Sequence, residues 1–378
     1  MSQLNAFLDR DPDARGGPGP LAGLSVGVKA NIMVAGMPFH AGIGAWAARI
    51  APRDAEVVAR LRAAGAAITG ILNMEEAALG SKTDNPHFGP VQNPHRPGYS
   101  PGGSSGGSGA AVAAGECDVA LGTDTMGSIR IPAAHCGVYG FKPATDRVSQ
   151  DGLEPADASL DAIGPLARDL DQVEKVAWVM SAMGSAIEDV AGAVLTGHGV
   201  DLHPEVARAF AGALDHLGGR PAPVRLAWPN ARIRFAGFIQ VARAMARHLA
   251  GVPVSDRLAR LIAYGPRRSD RDWQDDREVL ARTRAEVRAI VAEHGFLIMP
   301  TVPNPPFPHH EPEPAAQADF TCLANIAGLP ALSLPMGWTA DGLPLGVQIV
   351  GRSGHEAGMF ALARHLDAKL GAFRPPNP

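Results

Sequence analysis

The stretch "SPGGSSGGSGAAVAAGECDVALGTDTMGSIRIPAAHCGVYGFKPA", residues 100–144, decides how this chain is read. Its opening residues have the composition of a flexible linker. A linker is low in complexity on both sides, whereas residues 109–144 run on as small, apolar and patterned sequence. GSGAAVAAGE (107–116) reads as a small-residue helix, DVALGTD (118–124) as a strand, and GVYGFKP (137–143) as a further short strand or turn. A phosphate cradle would need a Lys-Ser or Lys-Thr pair closing a glycine-rich loop that opens a helix. No lysine follows Gly107 before Lys142, so that pattern is not met. The third reading is catalytic. Ser104 and Ser105 stand where a loop enters a helix, next to unpaired backbone N–H groups, and Ser128 follows the polar turn TDTMG. Two serines and a basic side chain can form a proton relay ending in a hydroxyl nucleophile. No histidine has a spacing that marks it as the base. Lys29, inside the apolar run LSVGVKANIMV (24–34), is the alternative.

The bulk composition bounds the setting. Of 378 residues, 46% are hydrophobic and 19% charged, the balance of a soluble globular protein with a large core. The 34 basic residues against 38 acidic give −4, and no run of Lys and Arg marks a nucleic-acid patch. Three cysteines, Cys117, Cys136 and Cys322, make no disulfide framework and no metal-ligand pattern, which suits a reducing compartment. The opening MSQLNAFLDRDPDARGG has neither the basic start nor the apolar run of a signal peptide, and no apolar segment approaches the roughly 20 residues that span a bilayer. The expectation is a cytoplasmic protein.

Along the chain, residues 1–20 read as a short helix followed by a Pro/Gly-rich link, and 24–34 as a buried strand. Asp54 is expected to cap a helix carrying Val57, Val58 and Leu61, which Gly65 ends before the strand AAITGIL. Residues 81–103 form a long polar loop, a feature that tends to be functional. Segments 203–217, 233–250, 255–264 and 268–294 carry helical spacing and most of the arginines. GFLIMPTVPNPPFP (295–308) reads as a strand running into a turn, 329–351 as a β-hairpin turning at ADG, and 356–370 as a closing amphipathic helix. The expectation is one domain over 1–378, with a helical cover at about 171–294.

The block GGSSGGSGAAVAAG…ALGTDTMGSIRIPAAHCGVYGFKP resembles the signature of the amidase signature family, the serine amidases with a Ser–cisSer–Lys triad. The resemblance extends to GPLAGLSVGVKANIMVAGMPFHAG (19–42), RVSQDGLEPADASLDAIGPLARDL (147–170) and LANIAGLPALSLPMG…GLPLGVQIVGR (323–352). It implies an α/β fold, an α/β/α sandwich around a large mixed sheet. By position it implies Ser128 as nucleophile, Ser104 as the bridging serine joined to Gly103 by a cis peptide, and Lys29 as base; the two serines are 128 − 104 = 24 apart. The backbone N–H groups of Thr125, Met126, Gly127 and Ser128 would form the oxyanion hole. Asp124 and Arg130 would brace the nucleophile loop, and Ser105 would either support the relay or simply cap the helix.

The chemistry explains the residue types. A lysine with its ordinary pKa near 10.4 is charged at neutral pH and cannot take a proton, but burial in an apolar strand disfavours the charged form. Ser104 could then pass the proton of Ser128 to Lys29 and return it to the leaving amine. No metal or organic cofactor is required. Two positions depart from the family pattern: Ala30, where an aspartate is common, and Met126, where glycine is common. If residue 126 has φ > 0, a side chain there costs about 1–2 kcal/mol; if φ is negative, the side chain narrows the pocket.

The expected activity is cleavage of the C–N bond of a small amide or ureido compound through an acyl-serine. The expected partner set is that small molecule, with no nucleic acid, no membrane and homodimer formation as the open option. Two alternatives stand beside it. One is the amidase-type subunit of a tRNA-dependent amidotransferase, disfavoured on the shortness of the chain; the other is a degenerate binding protein of the same fold.

Overall fold

The apolar run around Lys29 forms a strand with both faces covered, as a sheet interior between helical layers requires. In the computed structural model, which describes residues 4–181, 183–185 and 192–376, this strand belongs to an eleven-stranded mixed sheet. Numbered along the chain, the strands are β1 (Phe7–Arg10), β2 (Ser25–Lys29), β3 (Ala67–Leu72), β4 (Asp84–Asn85), β5 (Gly89–Pro90), β6 (Val119–Thr123) and β7 (Tyr139–Lys142). They continue with β8 (Ile163–Ala167), β9 (Ala193–Leu195), β10 (Ala222–Val224), β11 (Phe296–Pro300), β12 (Ala331–Trp338) and β13 (Pro344–Gly351). The sheet order is β1-β3-β2-β6-β8-β7-β12-β13-β11-β9-β10, with β4 and β5 forming a separate two-stranded pair. Strands β3, β2 and β6 run parallel; β12 and β13 form the expected antiparallel hairpin.

Helices cover both faces. Helices α1 (Glu56–Ala63), α4 (Leu170–Met180), α5 (Pro204–Leu214) and α11 (Glu356–Leu370) share one large apolar cluster with one face of the sheet, through Val57, Val173, Phe210 and Phe360 among others. On the opposite side lie α2 (Gly106–Ala113), α3 (Arg130–Cys136), α6 (Asn230–His248), α7 (Asp256–Ile262), α8 (Tyr264–Arg267), α9 (Asp270–His294) and α10 (Cys322–Ala327). This is the α/β/α sandwich around a large mixed sheet that the resemblance implies. Local sequence sets the helix starts. The Asp169 carboxylate accepts the N–H groups of Asp171 and Gln172, and the Ser255 and Ser269 hydroxyls accept those of Leu258 and Asp272. Helix α2 is buried at every position, and its small residues permit this: a Cβ on Gly107 would stand 2.3 Å from the Asn73 carbonyl oxygen.

The structure departs from the sequence reading at several elements. In place of a short N-terminal helix, the described part (residues 4–20) carries β1, paired antiparallel with β3 at the sheet edge; residues 1–3 lie outside the described residues. Asp54 does not cap α1. Ala55 occupies that position, while the Asp54 carboxylate accepts from the Ala35 N–H at 2.8 Å and from Arg62 Nε at 3.0 Å. Helix α3 is not foreseeable from periodicity, because Arg130 and Pro132 break the apolar rhythm of its short sequence. The region expected to be a helical cover also holds β9 and β10, which extend the sheet beyond β11. No helix among the described residues is long and apolar enough to cross a membrane.

Candidate active site

Strands β2 and β6 are parallel neighbours with Val28 paired to Leu121, so both end at the same edge of the sheet. The carboxyl ends of parallel strands are where such folds place ligands. Lys29 ends β2 and Thr123 ends β6. Lys29 Nζ hydrogen-bonds to Ser104 Oγ at 2.7 Å and to Thr123 Oγ1 at 2.7 Å. Lys29, Ser104 and Thr123 are buried. Burial pulls the pKa of Lys29 down to about 7, against the opposing pull of the Asp161, Asp124 and Glu75 carboxylates. A large fraction of Lys29 is therefore neutral near pH 7, with a lone pair able to take a proton.

Ser104 follows a cis peptide at Gly103, and its carbonyl accepts the Glu75 N–H at 3.1 Å. Ser105 occupies the N-cap position of α2 but makes no cap hydrogen bond with its side chain, which removes the simple capping reading. Its hydroxyl instead donates to the Thr123 carbonyl and accepts the Thr123 N–H, each at 3.2 Å. Its own N–H donates to the Ser128 carbonyl at 3.3 Å. Ser105 thus ties together the start of α2, the end of β6 and the loop that carries Ser128.

That loop is held from below by a buried ion pair. Asp124 and Arg130, both fully buried, meet at 2.9 Å. The Asp124 carboxylate also accepts the N–H groups of Gly127 at 2.7 Å and Ile129 at 3.2 Å, and Asn325 Nδ2 at 2.9 Å. Arg130 reaches Gln348 Oε1 and Asn325 Oδ1, each at 2.7 Å. Burial works against the charge of Asp124, but Arg130 beside it holds its carboxyl below the usual range. The expected oxyanion hole is corrected at one position. The Gly127 N–H is already committed to Asp124, so this donor is not available to substrate. Among the described residues, the N–H groups of Thr125, Met126 and Ser128 donate to no protein acceptor. Glycine at 127 is needed for another reason: its φ is +135°, and a Cβ would lie 2.1 Å from Thr321 Oγ1.

Met126 resolves in the second of the two expected directions. It is not among the non-glycine residues with positive φ, so no backbone penalty attaches to it. Its carbonyl accepts the Thr321 hydroxyl at 2.7 Å, and its side chain borders a cavity of about 670 Å³ together with Thr125 and Ser128. Arg257 at the cavity wall bridges Glu75 Oε1 at 2.5 Å and Glu313 Oε2 at 2.8 Å, and Glu313 in turn accepts the Ser81 N–H and hydroxyl. Phe235 and Phe238 of α6 and Tyr264 of α8 supply aromatic lining.

Three residues of the site escaped the sequence reading: Thr123, Asn325 and Asp161. Asp161 is buried, accepts the Thr125 hydroxyl at 2.5 Å and the Ala156 N–H at 2.9 Å, and has its pKa pushed up to about 7 by burial. The signal was present, since an acid inside the apolar run LDAIGPLA asks for buried partners. Cys136 is buried against the Pro101 carbonyl at 3.4 Å, and burial pushes its thiol pKa up, so it is no rival nucleophile.

Known proteins share this architecture over nearly the whole chain. A family model described as Amidase matches residues 6–360. A glutamyl-tRNA(Gln) amidotransferase subunit of Methanosarcina barkeri is 34% identical, over 93% of this chain and 85% of that protein. The corresponding protein of Thermus thermophilus is 35% identical, over 97% of this chain and 91% of its own length. Among solved structures, one described as "An unexpected vestigial protein complex reveals the evolutionary origins of an s-triazine catabolic enzyme" has a TM-score of 0.90 at 29% identity, covering 99% of this chain and 93% of that one. The structure of a glutamyl-tRNA(Gln) amidotransferase subunit from Thermotoga maritima has a TM-score of 0.87 at 28% identity, covering 99% and 90%. These relatives correct two expectations. A partner set of a small molecule with at most a second copy of the chain is overturned, because the relatives are named as subunits and one similar structure is a protein complex; both point to protein partners. Nor does shortness disfavour a subunit role, since the match spans most of each relative's length.

Proposed function

Because the chain belongs to the amidase signature family, we propose that it cleaves an amide C–N bond through an acyl-Ser128 intermediate, as the amidase-type subunit of an assembly with other proteins. The observation that carries the chemistry is the 2.7 Å contact of Lys29 Nζ with Ser104 Oγ, with the lysine buried and its pKa brought down to about 7. Neutral Lys29 takes the proton of Ser104, which takes that of Ser128. Ser128 Oγ bonds to the amide carbon, and the resulting oxyanion lies against the uncommitted N–H groups of the loop, each worth about 3–4 kcal/mol when well placed. Collapse breaks the C–N bond, and the proton returns through Ser104 to the departing ammonia or amine. Water then attacks the acyl ester by the same route and frees the carboxylate.

The subunit role rests on the relatives that carry that name across most of their length. On this reading the amide is a primary carboxamide such as that of glutamine, with ammonia passed on to a partner. A second reading, hydrolysis of a less polar amide, is favoured by the aromatic and aliphatic lining contributed by Phe235, Phe238 and Val241. A fluorophosphonate tests the shared chemistry: Ser128 Oγ forms a bond to phosphorus as fluoride leaves. Labelling is expected at Ser128, absent in Ser128→Ala and sharply reduced in Lys29→Ala. Undiminished labelling of Ser128→Ala would sink the assignment.

A further inference from the structure

Met126 stands two residues before Ser128 and is only partly covered. Its side chain packs at the junction of two apolar clusters. One, with Ile233 and Ile326, joins α6 to α10; the other, with Val241 and Met245, joins α6 to the segment around Ala156 and Leu160. The thioether end is seated on Gly237 of α6. A Cβ built on that glycine would stand 3.0 Å from Met126 Cε and 3.5 Å from Sδ, so the missing side chain at 237 is what makes room for the methionine. The same helix sends Phe235, Phe238 and Val241 to the cavity. The loop that carries Ser128 and α6 therefore meet through Met126, and Met126 and Ser128 line the same cavity.

The main chain at 126 is fixed separately. Its carbonyl is held by Thr321, and its φ is unremarkable for an L residue, so the methionine is not needed to set the loop conformation. What the side chain adds is bulk and apolar contact at the edge of the reacting centre. A thioether with three rotatable bonds moulds to an unbranched chain and offers a polar one no donor and only a weak acceptor.

Resting on the acyl-Ser128 reading, we propose that Met126 is the specificity-determining residue of the cavity. Seated on Gly237, it restricts the space beside Ser128 to amides whose carbonyl adjoins a slender, unbranched and apolar chain, and it excludes branched or aromatic substituents at that position. Removing the obstruction relaxes the selection, and pushing the thioether off Gly237 tightens it.

The test uses two fluorophosphonates, one with a linear alkyl group on phosphorus and one with a branched group on the carbon next to it. Second-order labelling rates at Ser128 are followed by intact mass for the wild-type chain, Met126→Ala and Gly237→Ala. The wild type is expected to react faster with the linear probe. Met126→Ala should raise the branched-to-linear rate ratio about 10-fold or more, the discrimination that small changes of shape in an apolar pocket provide. Gly237→Ala should lower that ratio, because its new methyl group meets the flexible end of Met126 and displaces it toward the cavity. A ratio unchanged in both variants, with the linear probe still reacting, would overturn the role of Met126 and leave the acyl-serine chemistry standing. Absence of labelling by either probe in the wild type would overturn the acyl-Ser128 reading, and this inference with it.

Discussion

At the scale of single residues, the decisive quantity is the protonation state of Lys29. Full burial removes its water, and among the described residues two hydroxyls take its hydrogen bonds. Its folded pKa of about 7 lies below the ordinary lysine value of 10.5, so between these values the unfolded chain holds a proton that the folded protein lacks. Lys29 therefore costs stability at neutral pH, and that cost fades as the pH rises toward the unfolded pKa. Activity has the matching sign. kcat/KM for amide hydrolysis is expected to rise through about pH 7 as Lys29 loses its proton, and a profile flat from about pH 5 to 9 would remove it as the base. Lys29→Met should lower kcat by roughly 10²–10⁴-fold, the usual range for losing a general base, while leaving the chain folded. Asp161 titrates near the same pH, so a rising limb belongs to the interacting groups together rather than to one alone. The lysine was legible in the sequence as a charge in an apolar strand; Thr123, its second partner, was not, because threonine at a strand end has no distinguishing pattern.

At the scale of elements, the loop from Asp124 to Arg130 shows how an unstructured stretch is made rigid. It has no ladder of its own hydrogen bonds; two of its amides, those of Gly127 and Ile129, are held by one carboxylate, and that carboxylate is neutralised by an arginine six residues on. Both charges are fully out of solvent, where the desolvation cost is repaid only by complete pairing. Arg130→Met should therefore lower the unfolding free energy by about 3–5 kcal/mol, read from urea denaturation, because it strips Asp124 of its hydrogen-bonded counter-charge. A loss under about 1 kcal/mol would show that Asn325 and the loop amides suffice to hold the carboxylate. Helix α2 behaves differently. Its fit comes from the absence of side chains, and the run of glycines and serines that imitates a linker is what allows a helix to enter the core between β2, β6 and α3.

At the scale of the whole molecule, the sheet links two regions that the sequence left apart. β9 and β10 carry part of the arginine-rich middle onto the sheet beyond β11, while α6 and α7 from the same region wall the cavity. The proposed assembly is testable at this level. A tagged chain recovered from its own cells should bring a stoichiometric protein with it. Restoring that protein to the stripped chain at about 100-fold over its Kd should raise the unfolding free energy by about 2.7 kcal/mol. A chain that purifies alone and releases ammonia at its full rate would remove the subunit role. The amino-acid order alone carries the succession of the main strands and helices as local periodicity, and, through its resemblance to the amidase signature blocks at 19–42 and 100–144, the expected fold class and the candidates Lys29, Ser104 and Ser128. Packing in three dimensions settles which loop amides are uncommitted, brings Asp161 and Thr123 to the site, and seats Met126 on Gly237 without strain in its own backbone. Those facts depend on contacts between residues far apart in the chain. Hydrogen-bond commitment and free volume are properties of the packed molecule, and the short run GGSSGGSG carries no record of them.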